Sequence, residues 1–296
     1  MEPVAKKIGV LVIVLGLLFV SSMLVGFVLL FATNTWSVPT MGNVALIPIK
    51  GVIVTQTGSW AGAVDPVFVR ESIKNADEDE RIKAIVLEID SPGGSPVASD
   101  EIGQALKTTS KPTIALIREV GASGAYWVAS NTDYIIANRM SITGSVGVTA
   151  SYIEIAGTLR RYNATYQELH SGEYKEAGSM FGELDAQERA LLQRKIDLIH
   201  EYFLEEVQQN RNLSRDATDT IRTGEIFIGS EALELGLVDE LGGFDELDAY
   251  LKEITGEKPS YIYYEKQLSF LDQFSLLRSA FLPGAILPSG ELQLRT

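Results

Sequence analysis

From Ile8 to Phe31 the sequence IGVLVIVLGLLFVSSMLVGFVLLF holds no charged residue. As a helix rising 1.5 Å per residue this run would be about 36 Å long, more than the ~30 Å hydrocarbon core of a bilayer. A cleaved leader has a shorter apolar stretch and a small-residue cleavage site, which the following LLFATNTWS does not supply. An uncleaved transmembrane helix is therefore expected at 8–31. Lys6 and Lys7 precede it, so residues 1–7 are expected in the cytoplasm and everything after Phe31 on the far side, with Trp36 at the outer interface. This divides the chain into the anchor, a linker at 32–42, a folded domain at 43–266 and a C-terminal tail at 267–296.

The balance of the chain is acidic, with a formal net charge of −14, which repels a phosphate backbone and excludes nucleic acid as the expected partner. An apolar fraction of 46% supports a packed core. There is no cysteine, so disulfides, cysteine-based zinc sites and thiol nucleophiles are ruled out. The run Asp77-Glu78-Asp79-Glu80 reads as a solvated helix end, and neither a metal nor a cofactor is expected.

Within 43–266, short β-branched runs alternate with helical spacing. Strands are expected at Asn43–Val54, Arg81–Asp90, Thr113–Val120, Asp133–Asn138 and Ser145–Glu154. Helices are expected at Val64–Asn75, Ala98–Lys107 and Ala122–Ser130, which together give an α/β fold with a largely parallel sheet. Farther on, Leu191, Leu192, Ile196, Ile199, Phe203 and Val207 form one stripe of a long helix over Asp185–Asn210, a stripe that faces the core or another subunit. Shorter helices and strands follow, ending in SYIYYEK.

Ser123 sits among the smallest residues, in GASGAYWVAS, where a strand gives way to a helix. A helix N-terminus offers free N–H groups and a positive dipole end, suited to an oxyanion, although a serine there is also a favoured N-cap. A second glycine turn, DSPGG, lies at the end of the preceding strand. If the two turns meet, the N–H groups of Gly94 and Gly124 converge as an oxyanion hole. A serine also needs a base. His200 lies on the long helix as a packing or surface residue, His170 lies at an expected strand end with no obvious carboxylate to orient it, and Lys175 in the same loop serves only if its ammonium is desolvated, with Met180 and Phe181 as the apolar neighbours to do it.

The ordered set DSPGG, GASGAYWVAS, SITGSVGV and SGEYKEAGSMF, behind a single anchor, closely resembles the signal peptide peptidase A family in its short form. The resemblance covers nearly all of 43–266. It implies a Clp protease/crotonase-like fold of repeated β-β-α units and a Ser/Lys-dyad endopeptidase. On the family's motifs Ser123 matches the nucleophile, Lys175 the general base, Gly94 and Gly124 the oxyanion-hole donors, and Ser145 a residue that hydrogen-bonds the lysine. The Ser-His-Asp triad of Clp protease itself is not available, because SITGSVGV has no histidine. The resemblance further implies a homo-octamer that degrades signal peptides and other small membrane-associated peptides. Competing readings are a related membrane protease that cleaves a stomatin-like partner protein, a crotonase-like acyl-CoA enzyme and an inactive assembly protein. Asn163-Ala-Thr165 and Asn212-Leu-Ser214 fit the N-glycosylation pattern.

Overall fold

The computed structural model describes residues 14–24, 26, 42–55 and 62–265. The chain divides into two compact units, Met1–Met41 and Gly42–Thr296. In the first, residues 14–24 are helical, and apolar side chains from Val14 (45%) to Phe19 (72%) and Met23 (70%) stand exposed. Among the described residues no helix is long and apolar enough to cross a membrane. The ends of the span expected at 8–31 lie outside those residues, as do most of the linker and the whole tail at 267–296.

The second unit is built on a sheet of eight strands. Strand β1 (Val44–Lys50) pairs in parallel with β2 (Ala84–Ser91) on one side and with β8 (Tyr261–Tyr263) on the other. Strand β3 (Thr113–Ala122) continues the sheet beyond β2 and is long enough to pair with two partners in succession, β4 (Tyr134–Ala137) and β5 (Ile142–Gly144). The edges are closed by β7 (Glu240–Leu241) against β4 in parallel and by β6 (Ile226–Ile228) against β5 in antiparallel.

Helices cover both faces, so the central strands are buried on each side and read as near-continuous apolar runs. Alternation divides the residues between two cores. Ala45, Ile47, Ile85, Leu87, Ala115 and Ile117 face the larger core, packed under α1 (Pro66–Glu78), α2 (Pro96–Lys107), α3 (Gly124–Ser130) and the C-terminal half of α5 (Ala186–Arg211). Val44, Leu46, Val86, Ile114 and Leu116 face the smaller one, closed by Leu247 and Leu251 of α8 (Phe244–Thr255). Short helices α4 (Ala156–Arg161), α6 (Arg215–Ile221) and α7 (Gly229–Glu234) complete the unit.

Local rules explain the helix ends. Asp65 caps α1 by accepting from the N–H of Val67 and Phe68, with Pro66 at the first position. Asp185 and Glu188 form a capping box on α5, and Asn212 closes its other end in the left-handed conformation. That far end is clamped by Arg211, whose guanidinium meets Asp239 at 2.6 and 3.0 Å and the Gly236 carbonyl at 3.2 Å. Asp239 also accepts from the Ile135 N–H at 2.7 Å, so one carboxylate ties α5 to the sheet.

Two expectations change. Ser145–Glu154 is not a strand: β5 ends at Gly144, and Ser145 takes φ 53°, which turns the chain out of the extended conformation despite its alternating β-branched residues. His170 does not lie at a strand end, since residues 164–170 have no regular structure. The stripe on α5 is also only partly core: Phe203 and Val207 are buried, while Leu191, Leu192, Ile196 and Ile199 remain half-exposed.

The acidic run at the end of α1 has a structural use. The Thr109 hydroxyl, followed by the Ser110 N–H, holds the Asp77 carboxyl below the usual carboxylate range, and Arg81 holds Asp79 at about 2. Both groups are depressed on folding, so their contribution is present above the unfolded value near ~4 and is lost as pH falls towards the folded values. Asp77→Asn should therefore lower stability at neutral pH, and the deficit should close in acid-unfolding curves below about pH 4. Removing the clamp in Asp239→Ala strands a guanidinium that is 7% exposed and a backbone N–H. Thermal unfolding should show a loss of roughly 2–3 kcal/mol, or about 4–10 °C.

Candidate active site

The carboxyl ends of β2 and β3 carry the two glycine turns. A break in register between Ile89 and Ser91 lets the turn after β2 swing against the start of α3. Ser91, fully buried, accepts from the Gly93 N–H at 3.1 Å, and Ile53 pins the other side by donating to the Gly93 carbonyl at 2.9 Å and accepting from the Ser95 N–H at 2.8 Å. Gly94 takes φ 155°, and a Cβ there would overlap the Ile53 carbonyl. The two turns touch: a Cβ placed on Gly124 would lie 3.2 Å from the Gly94 nitrogen. Among the described residues neither the Gly94 nor the Gly124 N–H is given to a protein acceptor.

Ser123 stands between them with φ 54° and ψ −127°, a conformation that a residue with a Cβ seldom adopts. It occupies the N-cap position of α3 but makes no side-chain cap bond, so its hydroxyl is not spent on the helix. Its backbone is held at both ends, the N–H donating to the Gly144 carbonyl and the carbonyl accepting from the Trp127 N–H, each at 2.9 Å.

Packing accounts for the small residues around Ser123. Gly124 packs on the Ser99 hydroxyl of α2, with no room for a Cβ, and Ala125 is fully buried in the core. Their size lets α3 sink into the sheet and leave the serine at the rim.

Ser123, Gly94, Gly124 and Ser145 line one cleft of about 590 Å³. Ser145 is fixed at φ 53° with its N–H on the Glu225 carbonyl at 2.8 Å. The opposite wall comes from α5 and the end of α6, through Ile196, Asp197, His200 and Arg222, with Trp127 stacked on Phe203 at 4.6 Å beneath. His200 is thus in the serine's cleft, a placement invisible in its helical position alone. Its Nε2 is buried without a partner among the described residues.

Lys175 is not among the residues that line this cleft. It lies exposed on the turn at 171–178, its N–H donating to the Gly172 carbonyl at 3.1 Å. The apolar neighbours expected to dry it are turned elsewhere: Phe181 stacks on Tyr166 at 4.7 Å, and Met180 is 43% exposed. His170, paired with Glu168 at 2.7 Å, is outside the cleft as well. A single chain therefore brings Ser123, Gly94, Gly124 and Ser145 into one cleft and leaves Lys175 outside it.

Comparison with known proteins places this geometry. The family model described as Peptidase family S49 matches residues 105–257. A protein of Synechocystis sp. named as a protease is 32% identical over 225 residues, covering 75% of this chain and 78% of that one. Protease 4 of Haemophilus influenzae is 31% identical over 207 residues, 69% of this chain, and this chain spans only 33% of it. A protein of Enterococcus faecium named as a signal peptide peptidase SppA is 31% identical over 185 residues, covering 61% of this chain and 54% of that one. Among solved structures, a serine-to-alanine mutant of the 1510-N membrane-bound stomatin-specific protease matches with a TM-score of 0.52 at 16% identity, over 76% of this chain and 99% of that one, a likeness of fold alone. The family model and these relatives show that the chain belongs to peptidase family S49 and is a serine protease.

Proposed function

We propose that this chain is a membrane-anchored endopeptidase of the Clp protease/crotonase-like fold that degrades signal peptides and other small membrane-associated peptides with a Ser/Lys dyad. Ser123 is the nucleophile and Lys175 the base. The amine takes the hydroxyl proton as Ser123 attacks the peptide carbonyl, the N–H groups of Gly94 and Gly124 receive the oxyanion, and the ammonium returns a proton to the leaving amine. Water then cleaves the acyl-enzyme by the same route. Ser145, on the cleft wall, orients the amine.

The observation that carries this reading is Ser123 itself, held at positive φ with its hydroxyl free of the helix and two N–H groups beside it. Anchoring is supported by the uncharged run at 8–31 and the exposed apolar helix within it. The dyad is closed between copies of the chain. Lys175 stands outside its own cleft, on a stretch where Ile153 (76%), Tyr162 (77%) and Leu169 (101%) are exposed. Exposed apolar residues on the same stretch as Lys175 suit an association surface, which supports the homo-octamer that the resemblance implies.

Fluorophosphonate should label the detergent-solubilised protein, and labelling should vanish in Ser123→Ala; an equally labelled variant would move the nucleophile elsewhere. Lys175→Ala should lower peptide hydrolysis by at least roughly 10²-fold. Co-expressing Ser123→Ala with Lys175→Ala should restore roughly a quarter of the sites, those in which an intact serine meets an intact lysine of its neighbour. No regained hydrolysis would return the pair to one chain.

A further inference from the structure

The wall of the cleft opposite Ser123 carries a polar group that the proposed chemistry does not use. Among the described residues three buried side-chain nitrogen or oxygen atoms have no hydrogen-bond partner, and two of them, His200 Nε2 and Trp127 Nε1, belong to residues that line this cleft. Buried polar atoms are nearly always paired, so two orphans in one cleft call for a cause. Charged neighbours on the same wall find partners within the chain: Asp197 accepts from Gln193 Nε2 at 2.7 Å, and Arg222 is paired with Glu201. The backbone beneath His200 is also fixed. Phe203, about one turn farther along α5, stacks on Trp127 at 4.6 Å, and the end of α5 is clamped by Arg211 and Asp239.

We propose that His200 binds the substrate backbone, its Nε2 accepting a hydrogen bond from a peptide N–H on the edge of the bound chain that faces away from the oxyanion hole. The inference rests on Ser123 as nucleophile and on Gly94 and Gly124 as the oxyanion donors. An extended peptide carries N–H and C=O groups along both edges. With the scissile carbonyl turned to Gly94 and Gly124, the opposite edge is turned to α5, the wall that holds His200. A neutral imidazole protonated on Nδ1 has an acceptor at Nε2, and an indole has a donor at Nε1. The N–H and C=O of one residue in an extended chain point to the same side, so a single substrate residue can supply a partner for each ring. The His200 side chain belongs to a half-exposed residue, and rotation about its Cβ–Cγ bond carries Nε2 from its buried position to the cleft. Backbone is the occupant that meets both needs, because every peptide offers an N–H and a C=O whatever its side chains.

The test uses the full-length protein in detergent, a quenched decapeptide that it cleaves, and a set of analogues in which each N–H away from the scissile bond is replaced in turn by an ester oxygen. In the wild type one such replacement should lower kcat/KM by roughly tenfold. His200→Phe should lower kcat/KM for the parent decapeptide by a similar factor, chiefly through KM, and the replacement at that position should then cost nothing more. His200→Gln, which keeps an acceptor but no base, should retain most of the wild-type value. The proposal is overturned if no replacement is costly in the wild type, or if the cost at that position persists in His200→Phe. It is overturned equally if His200→Gln loses as much as His200→Phe, or if the rate of fluorophosphonate labelling falls in step with hydrolysis, since His200 would then act on the serine or on the fold. Absence of labelling in the wild type would instead remove the nucleophile, and this contact with it.

Discussion

The site depends on a close approach of backbone to backbone, where the turn after β2 lies on the first residues of α3. The contact leaves no space for a side chain on Gly94, which abuts the Ile53 carbonyl, or on Gly124, which abuts the Ser99 hydroxyl. From it follow the bridge through Ile53, the two N–H groups without acceptors, and the serine held between them. Oxyanion stabilisation needs donors fixed before the reaction starts, because reorganising them would consume the electrostatic gain. The N–H groups of Gly94 and Gly124, proposed above as those donors, are fixed in this way by packing.

The sheet supplies half of the cleft and α5 the other half. The long helix is core only in its second half, where Phe203, Leu204 and Val207 are buried, while its first half stands over the serine. Such an arrangement needs a firm attachment at the far end, which the Arg211 clamp on Asp239 provides. Position at the cleft is thereby set by contacts made well away from it, through a rigid element.

Much of this was legible in the sequence where the signal is local. The central strands and both glycine turns follow from short patterns, and the long helix expected over Asp185–Asn210 is found at Ala186–Arg211. Failures arise where a long-range contact overrides the local pattern. SVGVTASYIE alternates like a strand, yet Ser145 at positive φ diverts it. His200 reads as a packing or surface position on its helix, and only the fold brings it into the cleft. The dry pocket expected around Lys175 was inferred from neighbours in sequence, Met180 and Phe181, whose side chains turn to other partners or to solvent. The meeting of two strand-end turns was inferable because adjacent parallel strands present their carboxyl ends side by side.

The backbone of Ser123 has one more implication. At φ 54° and ψ −127° a glycine would sit without strain, so the hydroxyl is retained at a conformational expense of order 1–3 kcal/mol. On the proposed role of Ser123 the sturdiest version of this fold is thus an inert one, and the capacity for chemistry and the ease of folding pull a single residue in opposite directions.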